Sequence, residues 1–145
     1  MNLTKNAKVS QVITPTAGAA GTDDINGTTL DMSGFEGVTF IVTMGAITSG
    51  AVTSAKVQQD SDSAMGTAAD LLGTGLTIAD TDDEDVFVLD VYKPAERYVR
   101  LVIDRGTQNA VVSAVAIQYG AHKTPVSHGT GVTAELNVSP IEGTA

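Results

Sequence analysis

Short runs of alternating apolar and polar residues recur along the chain, separated by Gly, Asp, Asn and Ser. The clearest runs are residues 38–44, 85–91, 98–104 and 110–119, and weaker ones are 9–13, 28–32, 55–59 and 76–78. In the first run Val38, Phe40, Val42 and Met44 share one face, and this period of two suits a half-buried strand and not a helix. Seven or eight short strands with turn residues between them predict an all-β fold, an antiparallel β-sandwich or jelly roll.

Three local patterns add detail to this prediction. Residues 85–91 are apolar on both faces, which predicts a central strand that is covered on both sides. Residues 105–109 have the usual length of a hairpin connection, with Gly106 supplying a positive φ. Only residues 62–72 have a pattern that a short helix could use, and Gly66 weakens that prediction.

The two ends of the chain differ from the middle. We predict an N-terminal strand followed by a flexible loop or arm in residues 1–27, a β-sandwich core in 28–120, and a C-terminal arm in 121–145. Within the last segment, residues 132–138 could form one isolated strand. This segment is either a frayed tail or an arm that becomes ordered on a neighbouring subunit.

Composition narrows the class of partner. The 145 residues carry a net charge of −9, only 17% are charged, 4% are aromatic, and Trp and Cys are absent. An acidic chain is a poor ligand for nucleic acid, because that binding depends on Lys and Arg contacts to phosphates. Without Cys there is no disulfide framework and no thiolate site.

The sequence also predicts no membrane partner. The first residues lack the apolar core of a signal peptide, and no apolar run approaches the roughly 18–20 residues that span a bilayer. We expect synthesis in the cytoplasm, with export only as part of a larger particle.

The densest charge cluster lies just before the second strong run. It consists of Asp80, Asp82, Asp83, Glu84 and Asp85. Oxygen ligands at alternate positions could hold Ca²⁺, but the spacing does not fit an EF-hand, and a solvated loop is the simpler interpretation. Whether residues 80–85 bind a cation stays open at this point.

Other candidate groups give no catalytic, cofactor-binding or metal site. His122 and His128 both fall in the predicted arm, where nothing would hold a general base or a metal ligand in place. The glycines at 73 and 75 match no phosphate-binding pattern, so we predict no cofactor and no enzymatic activity.

Half of the Lys and Arg residues are clustered in one short stretch. They are Lys93, Arg97, Arg100 and Arg105. They are either exposed charges that border the predicted hairpin or a basic patch that meets an acidic surface on a partner protein.

Four stretches of the sequence carry a resemblance to a known family. They are residues 35–42, 55–62, 92–106 and 109–120. They resemble small virion proteins from the head regions of tailed phages and prophages, and the resemblance covers about residues 28–120. Capsid decoration (head cement) proteins suit this resemblance best.

The resemblance implies binding without chemistry. Decoration proteins are typically β-rich, coat the exterior of the capsid, and are often homotrimers that clamp neighbouring major capsid subunits. It therefore implies a structural virion protein that is made in the host bacterial cytoplasm and has the major capsid protein and its own copies as partners. No individual binding residue carries over, because the family shares no motif at residue level.

Two other functions are compatible with the residues. One is another minor virion component, such as a tail or head-fibre protein, and the other is a β-sandwich module that binds carbohydrate or a host surface. The lack of Trp counts against the second, because sugars usually stack on aromatic rings.

For a decoration protein we expect the trimer contact to use edge strands and an outward apolar row. That row includes Val112, Ala114 and Ala116. On this hypothesis, replacing Ala114 with Glu breaks the trimer without unfolding the protomer.

Overall fold

A computed structural model describes residues 2–144 of the chain. One helical turn, α1, precedes ten strands. Their bounds are α1 Leu3–Asn6, β1 Lys8–Ile13, β2 Ile25–Asn26, β3 Leu30–Asp31, β4 Gly37–Ile47, β5 Val52–Asp60, β6 Ala69–Asp70, β7 Leu76–Ile78, β8 Val86–Tyr92, β9 Tyr98–Thr107 and β10 Ala110–Tyr119. None of the helices in the described part of the chain is long and apolar enough to cross a lipid bilayer.

The strands form two antiparallel sheets. Sheet A has the order β1-β10-β4-β8. Sheet B has the order β2-β9-β5-β6, with β3 also pairing with β9 and β7 with β5. The predicted all-β, antiparallel class is confirmed.

The inner faces of both sheets build one hydrophobic core, and the predicted alternation places the correct residues in it. Val38, Phe40 and Val42 of β4 are fully buried, as are Leu101 and Ile103 of β9. Burial of these aliphatic and aromatic side chains supplies most of the driving force for folding, at about 25 cal/mol per Å² of apolar surface.

The prediction of a central strand at residues 85–91 is wrong. This segment is β8, an edge strand of sheet A, and within residues 2–144 it pairs with β4 alone. Leu89 and Val91 face the core, while Val86 and Val88 are 57% and 61% exposed. The apolar residues on the second face therefore cover nothing within the protomer.

The predicted hairpin between the last two strands is also wrong. β9 belongs to sheet B and β10 to sheet A, so residues 108–109 carry the chain from one sheet to the other. Gln108 takes the left-handed conformation at φ 63°, and Gly106 does not. Connection length alone does not distinguish this crossing from a hairpin.

The helix suggested at residues 62–72 is absent from the structure. Turns occupy the first part of that stretch, and the two-residue strand β6 lies near its end. Of the weaker strands, 9–13, 55–59 and 76–78 are confirmed within β1, β5 and β7, while 28–32 contains only the short strand β3. The isolated strand suggested at 132–138 is wrong, since the structure describes those residues and gives them no strand.

The outward placement of the row on β10 is wrong. Val112, Ala114 and Ala116 are at most 3% exposed and lie in the core. β10 is an inner strand of sheet A, between β1 and β4, so its buried row is not available to a second copy.

Residues 14–27 are held against the protomer around Arg105. The backbone amide of Val112 donates to the carbonyl of Gly18, and β2 pairs with β9. Arg105 is 5% exposed, and its guanidinium donates to the carbonyl oxygens of Ala19, Asp23 and Ala110. A buried cation thus fixes this loop over the end of the sandwich.

The C-terminal segment begins along the outer edge of β1. The amide of Val126 donates to the carbonyl of Lys5, and the amide of Gly129 donates to the carbonyl of Val9. The Nδ1 atom of His128 accepts a hydrogen bond from the amide of Val9 at 3.1 Å. Residues 126–129 therefore cover one edge of sheet A.

Candidate binding surface

The outer face of sheet A is lined by apolar side chains from all four strands. Directly opposed residues in antiparallel strands point to the same side, so the register defines the rows on this face. Val115 of β10 lies opposite Ile41 of β4, which lies opposite Val88 of β8. These three side chains form an aliphatic row across the middle of the sheet.

Neighbouring residues extend this row along the strands. The surface, here called the outer face of sheet A, consists of Val9, Gln11, Thr39, Ile41, Thr43, Val86, Val88, Asp90, Val111, Ser113, Val115 and Ile117. Asp90 is its only charged member. A sheet face with so little charge has the composition of an interface core and not of an ordinary solvated surface.

One end of this face is closed by two tyrosines on either side of a glycine. Tyr119 and Tyr92 lie opposite Gly37 from the two sides. A Cβ atom added at Gly37 would lie 2.4 Å from the ring of Tyr119, so only glycine leaves room for that ring. The hydroxyl of Tyr119 donates to the carboxylate of Asp90 at 3.0 Å.

Burial raises the pKa of Tyr119 to about 12, and the hydrogen bond to Asp90 adds to the effect. The unfolded chain loses this proton near the ordinary value of 10.0, so the contribution to stability is complete below pH 10 and falls between pH 10 and 12. We expect the difference in unfolding free energy between wild type and Tyr119→Phe to change across that window in urea titrations. A difference that stays constant from pH 10 to 12 would contradict the raised pKa of Tyr119.

The outer face of sheet B has the opposite character. The amine of Lys56 lies 3.2 Å from Asp70 and 3.5 Å from Asp104, and the guanidinium of Arg100 donates to the side-chain carbonyl of Gln58. The hydrogen bond from Gln58 and the Lys56 amine lower the pKa of Asp70. Cross-strand pairs of this kind satisfy polar groups in a surface that faces water.

The predicted basic patch is dispersed in the structure. Arg105 is buried in the protomer, and Arg100 is engaged by Gln58. Arg97 makes a bidentate contact with Asp31 at 2.9 and 2.7 Å, which lowers the pKa of that carboxyl. Lys93 lies 5.1 Å from the ring centroid of Tyr92, and Arg97 lies at the same distance from that of Tyr98. The four side chains do not form one surface.

The acidic cluster at 80–85 binds backbone amides of its own protomer. Asp83 accepts a hydrogen bond from the amide of Ile47 at 2.7 Å, and Asp80 accepts one from Gly50 at 2.6 Å. Asp82 accepts from Ala79. These carboxylates tie the loop before β8 to the turn after β4, and no group of three or more His, Asp or Glu in residues 2–144 is placed to hold a metal ion.

The two histidines occupy different parts of the protein and make different contacts. His128 accepts a hydrogen bond along β1, as described above. His122 lines an open groove of about 520 Å³ at one end of the sandwich, together with Phe35, Lys93 and Arg97. The lining of this groove combines acidic side chains (Glu36 and Glu96), basic side chains (Lys93 and Arg97) and the ring of Phe35.

The sequence analysis did not predict the outer face of sheet A as a candidate binding surface. A signal was present, since residues 86 and 88 and residues 111 and 115 are apolar on the strand faces opposite the core rows. Such a pattern is compatible with a strand buried on both sides and with an edge strand that has a binding face.

Comparison with protein-family models gives no match for this sequence, and neither does comparison with curated proteins. Among solved structures, the chain is similar to the PBSX exported protein XepA, with a TM-score of 0.55 and 14% identity. The alignment covers 96% of this chain and 45% of that one, so this chain spans about half the length of XepA. At this level of identity the likeness shows that the two proteins share a fold.

Proposed function

We propose that this chain is a non-enzymatic structural virion protein. In this proposal it binds the exterior of a phage capsid and stabilises the head by clamping neighbouring major capsid subunits. The observation that carries the proposal is the contrast between the two outer faces, apolar on sheet A and laced with polar and ionic contacts on sheet B. Sheet A would lie against the shell and sheet B would face solvent.

Burial of the outer face of sheet A gives a physical reason for this orientation. Val86 and Val88 are more than half exposed in the protomer. Covering apolar surface is worth about 25 cal/mol per Å² before the costs of association. A broad, pre-formed sheet face loses little conformational freedom on docking, which favours binding to a rigid protein lattice.

The fold comparison supports a phage context. XepA, which shares the fold, is a phage-derived protein described as exported. The resemblance of residues 28–120 to head decoration proteins points to the same context. Self-association as a homotrimer, seated on the capsid exterior, belongs to the same proposal.

Co-sedimentation with empty heads of the parent phage, assembled without this chain, tests the proposal. Wild-type protein should pellet with the heads and saturate. Replacing Val115 with Asp places a charge in the middle of the outer face of sheet A, and we expect about tenfold or more weaker binding.

The matched control is Val52→Asp, which makes the same chemical change on β5 of sheet B, where the side chain is 66% exposed. It should bind as wild type does. Thermal unfolding of both variants checks that each protomer remains folded. Binding to tails and not to heads would assign the chain to another part of the virion, and binding to glycans but not to virions would make it a carbohydrate module. Both results would overturn the capsid proposal.

A further inference from the structure

The outer edge of β8 presents main-chain groups that have no strand beside them. The amide of Lys93 and the carbonyl of Asp85 bond to the side of β4. Because these groups alternate in direction along a strand, the amides and carbonyls of Val86, Val88 and Asp90 point away from β4. In the described part of the chain, no strand pairs with β8 on that side.

The opposite edge of the same sheet is treated differently. Residues 126–129 run along β1 and bond to Lys5 and Val9, as shown above. Free edges invite pairing with other chains, and folded proteins usually cover or charge them. Sheet A thus has one covered edge and one free edge of seven residues.

Open space lies beside part of β8. A cavity of about 220 Å³ opens between Val88–Asp90 and the turn at 73–76 of the other sheet. Gly73 and Gly75 line it, and a Cβ atom at either position would meet nothing within 4 Å. The cavity is therefore bordered by β8 on one side and by residues 73–76 on the other.

The C-terminal segment has the pattern of an unpaired strand. Val132, Ala134, Leu136 and Val138 alternate with the polar residues Thr133, Glu135, Asn137 and Ser139. Leu136 and Val138 are 38% and 77% exposed. No backbone hydrogen bond ties residues 133–138 to a strand in the described structure.

This segment cannot pair with β8 of its own protomer. Gly129 lies outside β1, and a strand outside β8 would lie five strand spacings away, or about 24 Å. The three residues from Gly129 to Val132 span at most about 11 Å. The free edge within reach therefore belongs to another copy.

We propose that residues 132–138 of one copy add as a strand to the free edge of β8 in a second copy. Leu136 would then join Val86 and Val88 on the outer face of sheet A, and the polar residues of the segment would point to the other face. Main-chain hydrogen bonds supply the affinity, and the apolar row fixes the register. This inference concerns self-assembly and does not depend on which shell the protein binds.

Because the chain contains no Cys, engineered thiols test this contact without background. Val88→Cys and Val86→Cys are each mixed with a differently sized copy that carries Leu136→Cys, and oxidised under mild conditions. We expect covalent heterodimers with at least one edge position. They should form about tenfold or more faster than with Val52→Cys, which is 66% exposed on β5 of sheet B.

A second comparison, between cysteines at two adjacent positions, tests whether residues 132–138 pair as a strand or only lie near β8. Asn137→Cys places the thiol on the opposite face of the added strand, so it should cross-link much more slowly than Leu136→Cys. Equal rates at 136 and 137 would overturn the proposal, as would cross-linking no faster than with Val52→Cys. A disulfide formed within one chain of the double variant V88C/L136C would also overturn the proposal. If the disulfides instead join different chains, the largest cross-linked species on a denaturing gel gives the number of copies in the assembly.

Discussion

Replacing Arg105 with Met is expected to destabilise the protein by about 3 kcal/mol or more, although Met fills a similar volume. The guanidinium is 5% exposed and bonds to three carbonyl oxygens, of Ala19, Asp23 and Ala110. No carboxylate forms an ion pair with it in the described structure. Its removal would leave these carbonyls without their charged donor, and each unsatisfied buried acceptor costs about 1–3 kcal/mol.

The loss should be concentrated at the loop that covers the end of the sandwich. The amide of Val112 donates to Gly18, and the amide of Ala110 donates to Gly21. When the guanidinium no longer holds residues 18–24, these two amides should lose protection from hydrogen exchange before the core strands do. Urea unfolding gives the global effect, and exchange of the two amides gives the local one.

Arg100→Met is the matched control for this substitution. Arg100 is half-buried on the outer face of sheet B and bonds to the side chain of Gln58, where water can replace it. We expect a loss of about 1 kcal/mol or less. Equal losses in the two variants would mean that the guanidinium of Arg105 does not hold the loop.

The inward orientation of Arg105 could have been predicted from the sequence, but grouping it with the other basic residues hid this. Residues 101, 103 and 105 are two apart, and Leu101 and Ile103 are core residues, so strand periodicity points Arg105 inward. Clustering it with Lys93, Arg97 and Arg100 treated neighbours in sequence as neighbours in space. Alternation along a strand is the stronger constraint.

Alternation predicted the strands well because it depends only on local geometry. It did not settle which strands lie at an edge, since β8 carries apolar residues on both faces and reads like a buried strand. The connection from β9 to β10 failed for a related reason. Whether two consecutive strands pair or enter different sheets depends on long-range packing that a five-residue segment does not encode.

The outer face of sheet A was missed as a candidate binding surface because its recognition requires the register of three strands. Ile41, Val88 and Val115 are far apart in sequence, and only the pairings of β4 with β8 and β10 bring them into one row. Each of these residues alone has the pattern of an ordinary apolar position in a strand. The surface becomes visible when the core rows are known and the remaining apolar residues are placed on the opposite side.

Replacing Ala114 with Glu is expected to prevent folding, whereas Ser113→Glu on the adjacent residue should leave the protomer folded. Ala114 is 3% exposed and lies between β1 and β4, opposite Val42. Glutamate there combines overpacking, which costs about 1–3 kcal/mol, with an unpaired buried carboxylate, which costs several more. The sum is comparable with the total stability of a typical domain, about 5–15 kcal/mol.

Ser113 provides a matched control because it carries the same change on the same strand with the opposite orientation. It is half-buried on the outer face of sheet A, where a carboxylate reaches water, and we expect a change of about 1 kcal/mol or less. Circular dichroism and thermal unfolding of the two variants distinguish the faces. A folded Ala114→Glu protomer would contradict the placement of this row in the core. An unfolded one, beside a folded Ser113→Glu, would show that self-association of this protein has to use some surface other than the buried row of β10.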